Sequence, residues 1–264
     1  MSSIGAEKEN LLMKIALAVP CLYKDVSVNI DVMNSLISEA CANGASFLLF
    51  PEATITGLIN SDVYEHDINI SIPLNHKIIV DFCNNAKENS IWLCFGFLEN
   101  DNGCIYDSAV LINPNGKMAL HYRRINPQWR AKNLPASQYS EGVEMKYTLT
   151  PLGTTAIVIC GDLFDDNVIA MLKKVRPNFV LFPFARCFNT NIENVQKEWD
   201  ETEEAEYINR AKLTGGLVAM TNYIGTEEIN DTSFGGAFVV SSSGELLASL
   251  HLLQEGLLYY DFGA

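Results

Sequence analysis

The chain has 264 residues, of which 48% are hydrophobic and 19% are charged, and its formal net charge is −14 at pH 7. This composition predicts a well-packed globular protein and excludes an intrinsically disordered one. The acidic balance argues against a nucleic-acid partner, because neutralising phosphates requires clustered lysine and arginine. No linker-like stretch interrupts the sequence, so we expect one domain over residues 1–264, with residues 1–12 as a flexible tail.

The sequence predicts neither a signal peptide nor a membrane span. The first ten residues lack a basic segment, and no apolar run approaches the roughly 20 residues that a membrane-spanning helix needs. Seven cysteines are dispersed without paired spacing, which is typical of reduced thiols and not of a disulfide framework or a zinc site. We therefore expect a cytoplasmic protein that binds neither membranes nor metals.

The first half of the chain alternates strands and helices. A strand at 14–20 and an amphipathic helix at 28–43 precede a strand at 45–51 that is apolar enough to be covered on both faces. This βαβ order predicts a parallel pair of strands. A loop over 52–73 follows. The remaining predicted elements are a helix at 75–89 and strands at 91–98, 105–112 and 117–122, the last two joined by a turn.

After a loop over 125–150 without clear periodicity, the second half repeats this order. Its predicted elements are a strand at 154–160, a helix at 166–175, a strand at 178–183, a helix at 198–214 and strands at 217–223, 236–241, 245–249 and 257–261. Two similar βαβαβ halves predict an α/β fold in which two sheets stack between outer helices, a four-layer αββα sandwich. The alternative is a single doubly wound sheet, which the antiparallel hairpins disfavour.

Three polar residues stand at the ends of predicted strands, where open α/β sheets place their functional groups. They are Glu52, Arg124 and Cys160. If the strand ends converge, the thiol would attack an electrophilic carbon, the carboxylate would pass its proton to a leaving amine, and the cation would stabilise an oxyanion. That set fits hydrolysis of an amide or nitrile. None of the four histidines ends a long apolar strand, so histidine is a poor candidate for the base.

Three segments resemble the signature motifs of the nitrilase, or carbon-nitrogen hydrolase, superfamily. They are FPEATITGL at 50–58, HYRRINPQW at 121–129 and IVICGDLF at 157–164, and their order and spacing also match. Later segments are similar as well, so the resemblance covers nearly the whole chain. It implies a four-layer αββα fold, a small-molecule substrate, no metal or organic cofactor, and a homodimer or higher homo-oligomer.

The resemblance also implies a Glu-Lys-Cys site. Glu52 and Cys160 match the base and the nucleophile, whereas the lysine position falls on Arg124. Arginine keeps the charge, but its planar fork is larger and its pKa is too high for it to share protons. The family's second glutamate, expected in the loop after this motif, has no clear match, because residues 128–138 contain no acid. Glu141 and Glu144, near the end of that loop, are candidate substitutes with the wrong spacing.

Neighbouring residues supply candidate substrate contacts. Gly161 would let the backbone approach a substrate, and its N–H would donate to an oxyanion. Phe184 and Arg186 are expected in the pocket wall, where Arg186 or Arg130 would bind a substrate carboxylate in bidentate fashion. An equally supported alternative is that these arginines pair with the acidic segment 193–206.

Two functions from different classes follow. The first is a thiol hydrolase that releases ammonia from a small amide, carbamoyl compound or nitrile through a cysteine thioester. The second is a catalytically inactive binding or assembly protein in which Arg124 and Glu52 form a plain ion pair. The first is preferred, because burying an unused carboxylate is costly. Asp162 is expected to cap the helix that follows it.

Overall fold

The computed structural model describes residues 13–188 and 194–262. It contains two six-stranded sheets that pack face to face, with helices on their outer faces, so the predicted αββα sandwich is confirmed. The segment 1–12, expected to be a flexible tail, lies outside the described residues. No helix in the described part of the chain is long and apolar enough to span a membrane.

The first half of the chain supplies most of one sheet. Its elements are β1 (Met13–Val19), α1 (Val26–Ala42), β2 (Phe47–Leu49), α2 (Tyr64–Ile70), α3 (Lys77–Glu88), β3 (Trp92–Asp101), β4 (Cys104–Ile112) and β5 (Met118–Arg123). β1, β2 and β3 are parallel neighbours, and β3, β4 and β5 form an antiparallel meander. α2 lies in the segment predicted as a loop, because seven residues are too few to show helical periodicity.

The second half supplies the other sheet. Its elements are β6 (Tyr147–Thr150), β7 (Gly153–Ile157), α4 (Asp166–Val175), β8 (Phe179–Pro183), α5 (Val195–Thr202), α6 (Glu204–Leu213), β9 (Leu217–Thr221), β10 (Ala237–Val240), β11 (Leu246–Leu250) and β12 (Gly256–Phe262). β6 lies in the segment predicted as a loop. The helix predicted at 198–214 is two helices that meet at Glu203, whose side chain binds Arg186.

The last strand returns to the first sheet. β12 pairs antiparallel with β1 from Met13 opposite Phe262 to Val19 opposite Gly256. The first sheet therefore has the order β12-β1-β2-β3-β4-β5, and the second has the order β11-β10-β9-β8-β7-β6. The second half of the chain thus contributes a strand to the first sheet, a difference from the two self-contained halves of the prediction.

Alternation along β1 shows how the layers are built. Leu17 points into the core between the two sheets, whereas Ala16 and Ala18 point toward the helices outside the first sheet. Each such leucine contributes about 1.5–3 kcal/mol through burial. The small residues on the other face leave room for α1. The packed sheets hold the carboxyl ends of β2, β5 and β7 close to one another.

Candidate active site

The structure brings Glu52, Arg124 and Cys160 together at one edge of the stacked sheets. Glu52 follows β2, Arg124 directly follows β5, and Cys160 lies just beyond β7. Arg124 Nη1 donates a hydrogen bond of 2.8 Å to Glu52 Oε1, while burial and the nearby Cys160 raise the pKa of the Glu52 carboxyl group. The three residues predicted from strand ends thus form one cluster.

A strained turn presents the Cys160 thiol. β7 ends at Ile157, earlier than predicted, and Cys160 begins a 3-10 turn with a φ of 43°. A positive φ at a residue other than glycine costs on the order of 1–3 kcal/mol and is frequent at functional sites. The half-buried thiol donates a weak hydrogen bond to the Ala185 carbonyl oxygen at 3.5 Å.

Asp162 ties this turn to the segment that carries Arg124. Its two carboxylate oxygens accept four hydrogen bonds, from the backbone N–H groups of Ile125, Asn126 and Ile159 and from the Tyr122 hydroxyl. The helix-capping role predicted for Asp162 is wrong, because Asp165 caps α4 by accepting from the Asn167 N–H at 2.9 Å. Asp162 instead fixes the position of Arg124 relative to Cys160.

Asp107, which the motifs did not single out, is the fourth ionisable member of the cluster. It lies on β4 with 1% of its surface exposed, and Arg124 Nη1 donates to its Oδ2 at 3.2 Å. The Arg124 backbone N–H also donates to the Asp107 carbonyl oxygen at 2.9 Å. The sequence feature that could have identified Asp107 is that it is the only acid in a predicted strand that is otherwise largely buried.

Burial and charge shift the pKa values of this cluster. Burial, followed by the charge of Cys160, raises the pKa of Glu52 to about 8, and the guanidinium of Arg124 opposes the rise. Burial and the neighbouring Glu52 also raise the pKa of Asp107 well above its usual value. Burial would lower the pKa of Arg124, but Cys160 and Glu52 outweigh it, so Arg124 stays protonated.

Cys160 and Arg124 open onto a cavity of about 450 Å³. Its wall consists of Arg124, Gln128, Cys160, Gly161, Phe164, Ala185, Arg186, Thr202, Glu203, Glu206 and Tyr207. A volume of this order suits a small molecule. Among the described residues, no group of three or more His, Cys, Asp and Glu side chains is placed to hold a metal ion.

Position 161 requires a glycine, because the Arg124 guanidinium packs directly against the turn at this residue. A Cβ at this position would lie 2.5 Å from Arg124 Nη2 and 2.7 Å from Asn126 Oδ1. We expect Gly161→Ala to displace Arg124 and to slow any reaction at Cys160 by about 10²-fold, the usual cost of a 1 Å misplacement. The rate of Cys160 modification, followed by peptide mass mapping, measures the effect.

Gly215→Ala is the matched control for Gly161→Ala. Gly215 has a φ of +79°, but no atom lies within 4 Å of an added Cβ. Backbone strain there should lower stability slightly and leave Cys160 unaffected. Equal rates of Cys160 modification in the parent and in Gly161→Ala would show that the guanidinium position does not matter.

The arginines expected to bind a substrate carboxylate already have partners. Arg186 Nε donates to Glu203 Oε2 at 3.0 Å, and its Nη2 donates to the other oxygen of that carboxylate. Arg130 likewise holds Glu141 in a bidentate pair, at 2.7 and 3.0 Å. Arg186 therefore pairs with the acidic segment, as in the alternative prediction. Neither the Arg186 nor the Arg130 guanidinium is free to bind a ligand in bidentate fashion.

Three other candidates lie outside the cavity wall. Phe184 is fully buried and stacks on Phe182 with ring centroids 5.2 Å apart, and its neighbour Tyr207 forms the cavity wall instead. Glu141 is held by Arg130, and Glu144 lies 3.4 Å from Lys146 at the surface. Asp107, which accepts from the same Arg124 nitrogen as Glu52, is the acidic group that the sequence did not indicate.

Comparison with known proteins places the chain in a family. Residues 14–263 match the family model described as carbon-nitrogen hydrolase. The chain is 24% identical over 256 residues to the deaminated glutathione amidase of Dictyostelium discoideum, covering 91% of this chain and 84% of that protein. It is 25% identical over 230 residues to the nitrilase and fragile histidine triad fusion protein NitFhit of Drosophila melanogaster, covering 85% of this chain and 48% of that protein.

Several other curated relatives are also matched over less than half of their own length. Among solved structures, a carbon-nitrogen hydrolase from Helicobacter pylori G27 has a TM-score of 0.76 at 18% identity, over 95% of this chain and 88% of that one. A mutant amidase from Nesterenkonia sp. AN1, with the acetamide moiety of fluoroacetamide on its active-site cysteine, has a TM-score of 0.76 at 20% identity, over 95% and 90% of the two chains. These structures share the fold, and the match to the family model covers nearly the whole sequence. The chain therefore belongs to the carbon-nitrogen hydrolase family.

Proposed function

We propose that this protein is a thiol amidohydrolase that cleaves the carbon-nitrogen bond of a small non-peptide amide, carbamoyl compound or nitrile. The observation that carries this proposal is the Cys160 thiol, which a strained turn presents to a small cavity close to the buried Glu52 carboxyl group, whose pKa burial and Cys160 raise. The modified active-site cysteine of the similar Nesterenkonia amidase adds support. We further propose that the protein acts in the cytoplasm as a homo-oligomer.

The first half of the proposed reaction forms a thioester. Cys160 Sγ attacks the carbonyl carbon of the amide, and its proton passes to Glu52. The resulting oxyanion is stabilised by Arg124, which takes the role of the family's lysine, and by the Gly161 N–H. Glu52 then returns the proton to the nitrogen as the carbon-nitrogen bond breaks, and ammonia leaves.

The second half restores the enzyme. A water molecule attacks the thioester carbon while Glu52 takes its proton, so a carbon-oxygen bond replaces the carbon-sulfur bond. The proton returns to the Cys160 sulfur, and the carboxylic acid leaves. A group that both accepts and donates a proton works best with a pKa near the working pH. The raised pKa of Glu52 fits that requirement.

The pH dependence follows from the base role of Glu52. The carboxylate form accepts the thiol proton, and burial raises the pKa of Glu52 to about 8. We expect kcat/KM for amide hydrolysis to rise from pH 5 toward about pH 8, because the active form becomes populated only as Glu52 loses its proton. Initial rates of ammonia release measure this profile. A profile already flat above about pH 6 would indicate a base with an ordinary carboxyl pKa.

The cavity mouth predicts a preference for the charge of the substrate tail. Arg186 is neutralised by Glu203, whereas the exposed Glu206 forms no ion pair with any described residue. We therefore expect 4-aminobutanamide, with a cationic tail, to have about tenfold higher kcat/KM than succinamate, with an anionic tail, equivalent to about 1.4 kcal/mol. Glu206→Gln should remove the preference, and Glu201→Gln, outside the cavity wall, should retain it. Faster hydrolysis of succinamate would contradict this expectation.

The alternative function is a binding or assembly protein without catalysis. The 2.8 Å ion pair between Arg124 and Glu52 favours it, because a paired carboxylate needs no catalytic role to be retained. Ammonia release from a panel of short amides, carbamoyl compounds and nitriles distinguishes the two functions. Release by the parent and not by Cys160→Ala would support hydrolysis. Equal binding of these compounds by both proteins, with no ammonia and no adduct on Cys160, would support the alternative.

A further inference from the structure

Asp107 and Glu52 form a pair of buried carboxyl groups held by a single cation. Glu52 is fully buried, and Asp107 is 1% exposed. Both accept a hydrogen bond from the same nitrogen, Arg124 Nη1, at 2.8 and 3.2 Å. Because they share this nitrogen, the two carboxyl groups are close together, and burial and the charge of Glu52 raise the pKa of Asp107. Two acids therefore compete for one positive charge away from solvent.

No other described cation offsets these two acids. Arg124 is the only positively charged side chain among residues 13–188 and 194–262 that forms an ion pair with Glu52 or Asp107. The remaining ionisable groups around them are Cys160, Tyr122, Asp162 and Tyr207, none of which carries a positive charge. Asp162 is satisfied by its own four donors. With both acids ionised, the set of Glu52, Asp107 and Arg124 would carry a net charge of −1.

Two oxygen atoms of this cluster have no hydrogen-bond donor. They are Glu52 Oε2 and Asp107 Oδ1, both inaccessible to solvent. An ionised oxygen in that situation loses its hydrogen bonds to water and gains none from the protein. Repulsion between two nearby negative charges also disfavours ionisation of both acids. One proton shared by the two carboxyl groups removes both costs. One oxygen then carries the proton and the other accepts a hydrogen bond from it, and the net charge of the set becomes zero.

We propose that Glu52 and Asp107 share at least one retained proton at neutral pH, so that Asp107 is a positioning residue that holds Glu52 through a carboxylic acid hydrogen bond. Asp107 is then not a second counter-ion for Arg124. The upward pKa shifts of both acids agree in direction with the geometry. This inference concerns the folded protein and does not depend on catalysis.

The test is the pH dependence of folding stability in the full-length protein. Asp107→Asn keeps the size of the side chain and a hydrogen-bond donor but removes the titratable group. Urea unfolding of the parent and the variant at pH 5, 6, 7 and 8 gives the ratio of their folding equilibrium constants. If the pair retains a proton, the folded parent binds more protons than the unfolded chain does. This difference holds at every pH between the ordinary carboxyl pKa and the raised one. The parent must then lose stability relative to the variant as the pH rises.

We divide the folding constant of the variant by that of the parent and expect this ratio to increase about tenfold per pH unit over this range. That is the change expected when folding is linked to the binding of one proton. A constant ratio would overturn the proposal, because two ionised carboxylates bind no extra proton above pH 5. Asp25→Asn is the control. Asp25 caps α1 at the surface and accepts hydrogen bonds from Ser27, which lower its pKa, so its ratio should stay constant from pH 5 to pH 8.

Two further measurements cover the case in which Asp107→Asn does not fold. Glu52→Gln removes the other partner and should give the same upward slope. Infrared spectroscopy of the parent at pH 7 should also show the carbonyl stretch of a buried protonated carboxylic acid. Absence of that band would overturn the proposal whether or not either variant folds, and none of these outcomes depends on whether the protein hydrolyses amides.

Discussion

Replacing Glu52 with glutamine should reduce kcat/KM for amide hydrolysis by about 10²–10⁴-fold, the usual contribution of a general base. Glutamine has the same size and still accepts a hydrogen bond from Arg124, which donates to Glu52 at 2.8 Å in the parent. It cannot take the thiol proton from Cys160 or deliver it to the leaving nitrogen. Steady-state ammonia release at pH 8 measures the effect on a substrate that the parent hydrolyses.

Glu141→Gln serves as the control for this substitution. Glu141 also pairs with an arginine, Arg130, but it lies outside the cavity wall that contains Cys160. We expect its kcat/KM to remain within about threefold of the parent value, since surface substitutions usually change little. Undiminished hydrolysis by Glu52→Gln would show that the catalytic base is another group.

Replacing Arg124 with leucine should destabilise the fold by about 3–5 kcal/mol at pH 8, because it leaves two buried carboxyl groups without their cation. Arg124 is 3% exposed, and its Nη1 donates hydrogen bonds to both Glu52 and Asp107. The loss should be smaller at pH 5, because both acids have raised pKa values and each can take up a proton there. Urea unfolding at the two pH values measures both effects.

Two other substitutions separate charge from packing at this position. Arg124→Lys retains one positive charge, so it should keep the fold and change the rate or the substrate preference. Lys77→Leu removes an exposed pair with Asp81 and should cost less than about 1 kcal/mol. Equal stability of Arg124→Leu and the parent at pH 8 would contradict the account of the buried cluster. Kinetics of Arg124→Lys identical to those of the parent would remove Arg124 from the site.

The sequence predicted the parts of this site that depend on local pattern. Glu52 and Cys160 follow stretches so apolar that a buried strand is the natural interpretation, and a polar residue at such a strand end indicates a site. The same reasoning led to Arg124. Alternating and helical periodicities also predicted the layers, since each pattern shows which face of an element is buried.

The features that the sequence did not predict depend on partners distant along the chain. Nothing near Arg186 indicates that Glu203 already occupies its guanidinium. The return of β12 to β1 is set by pairing across the whole length of the chain. Asp107 lies 55 residues after Glu52 and 17 residues before Arg124, and only the packed sheets show that the three share a hydrogen-bonded cluster.

The nucleophilic role of Cys160 is tested most directly by trapping its acyl intermediate. The parent protein is mixed with an amide that it hydrolyses, quenched in acid within the first turnovers and mapped by peptide mass spectrometry. We predict a mass increase equal to the acyl group on the peptide that contains Cys160, formed together with ammonia and absent from Cys160→Ala. Ammonia release by Cys160→Ala at the parent rate, with Cys160 unmodified in the quenched parent, would contradict the account.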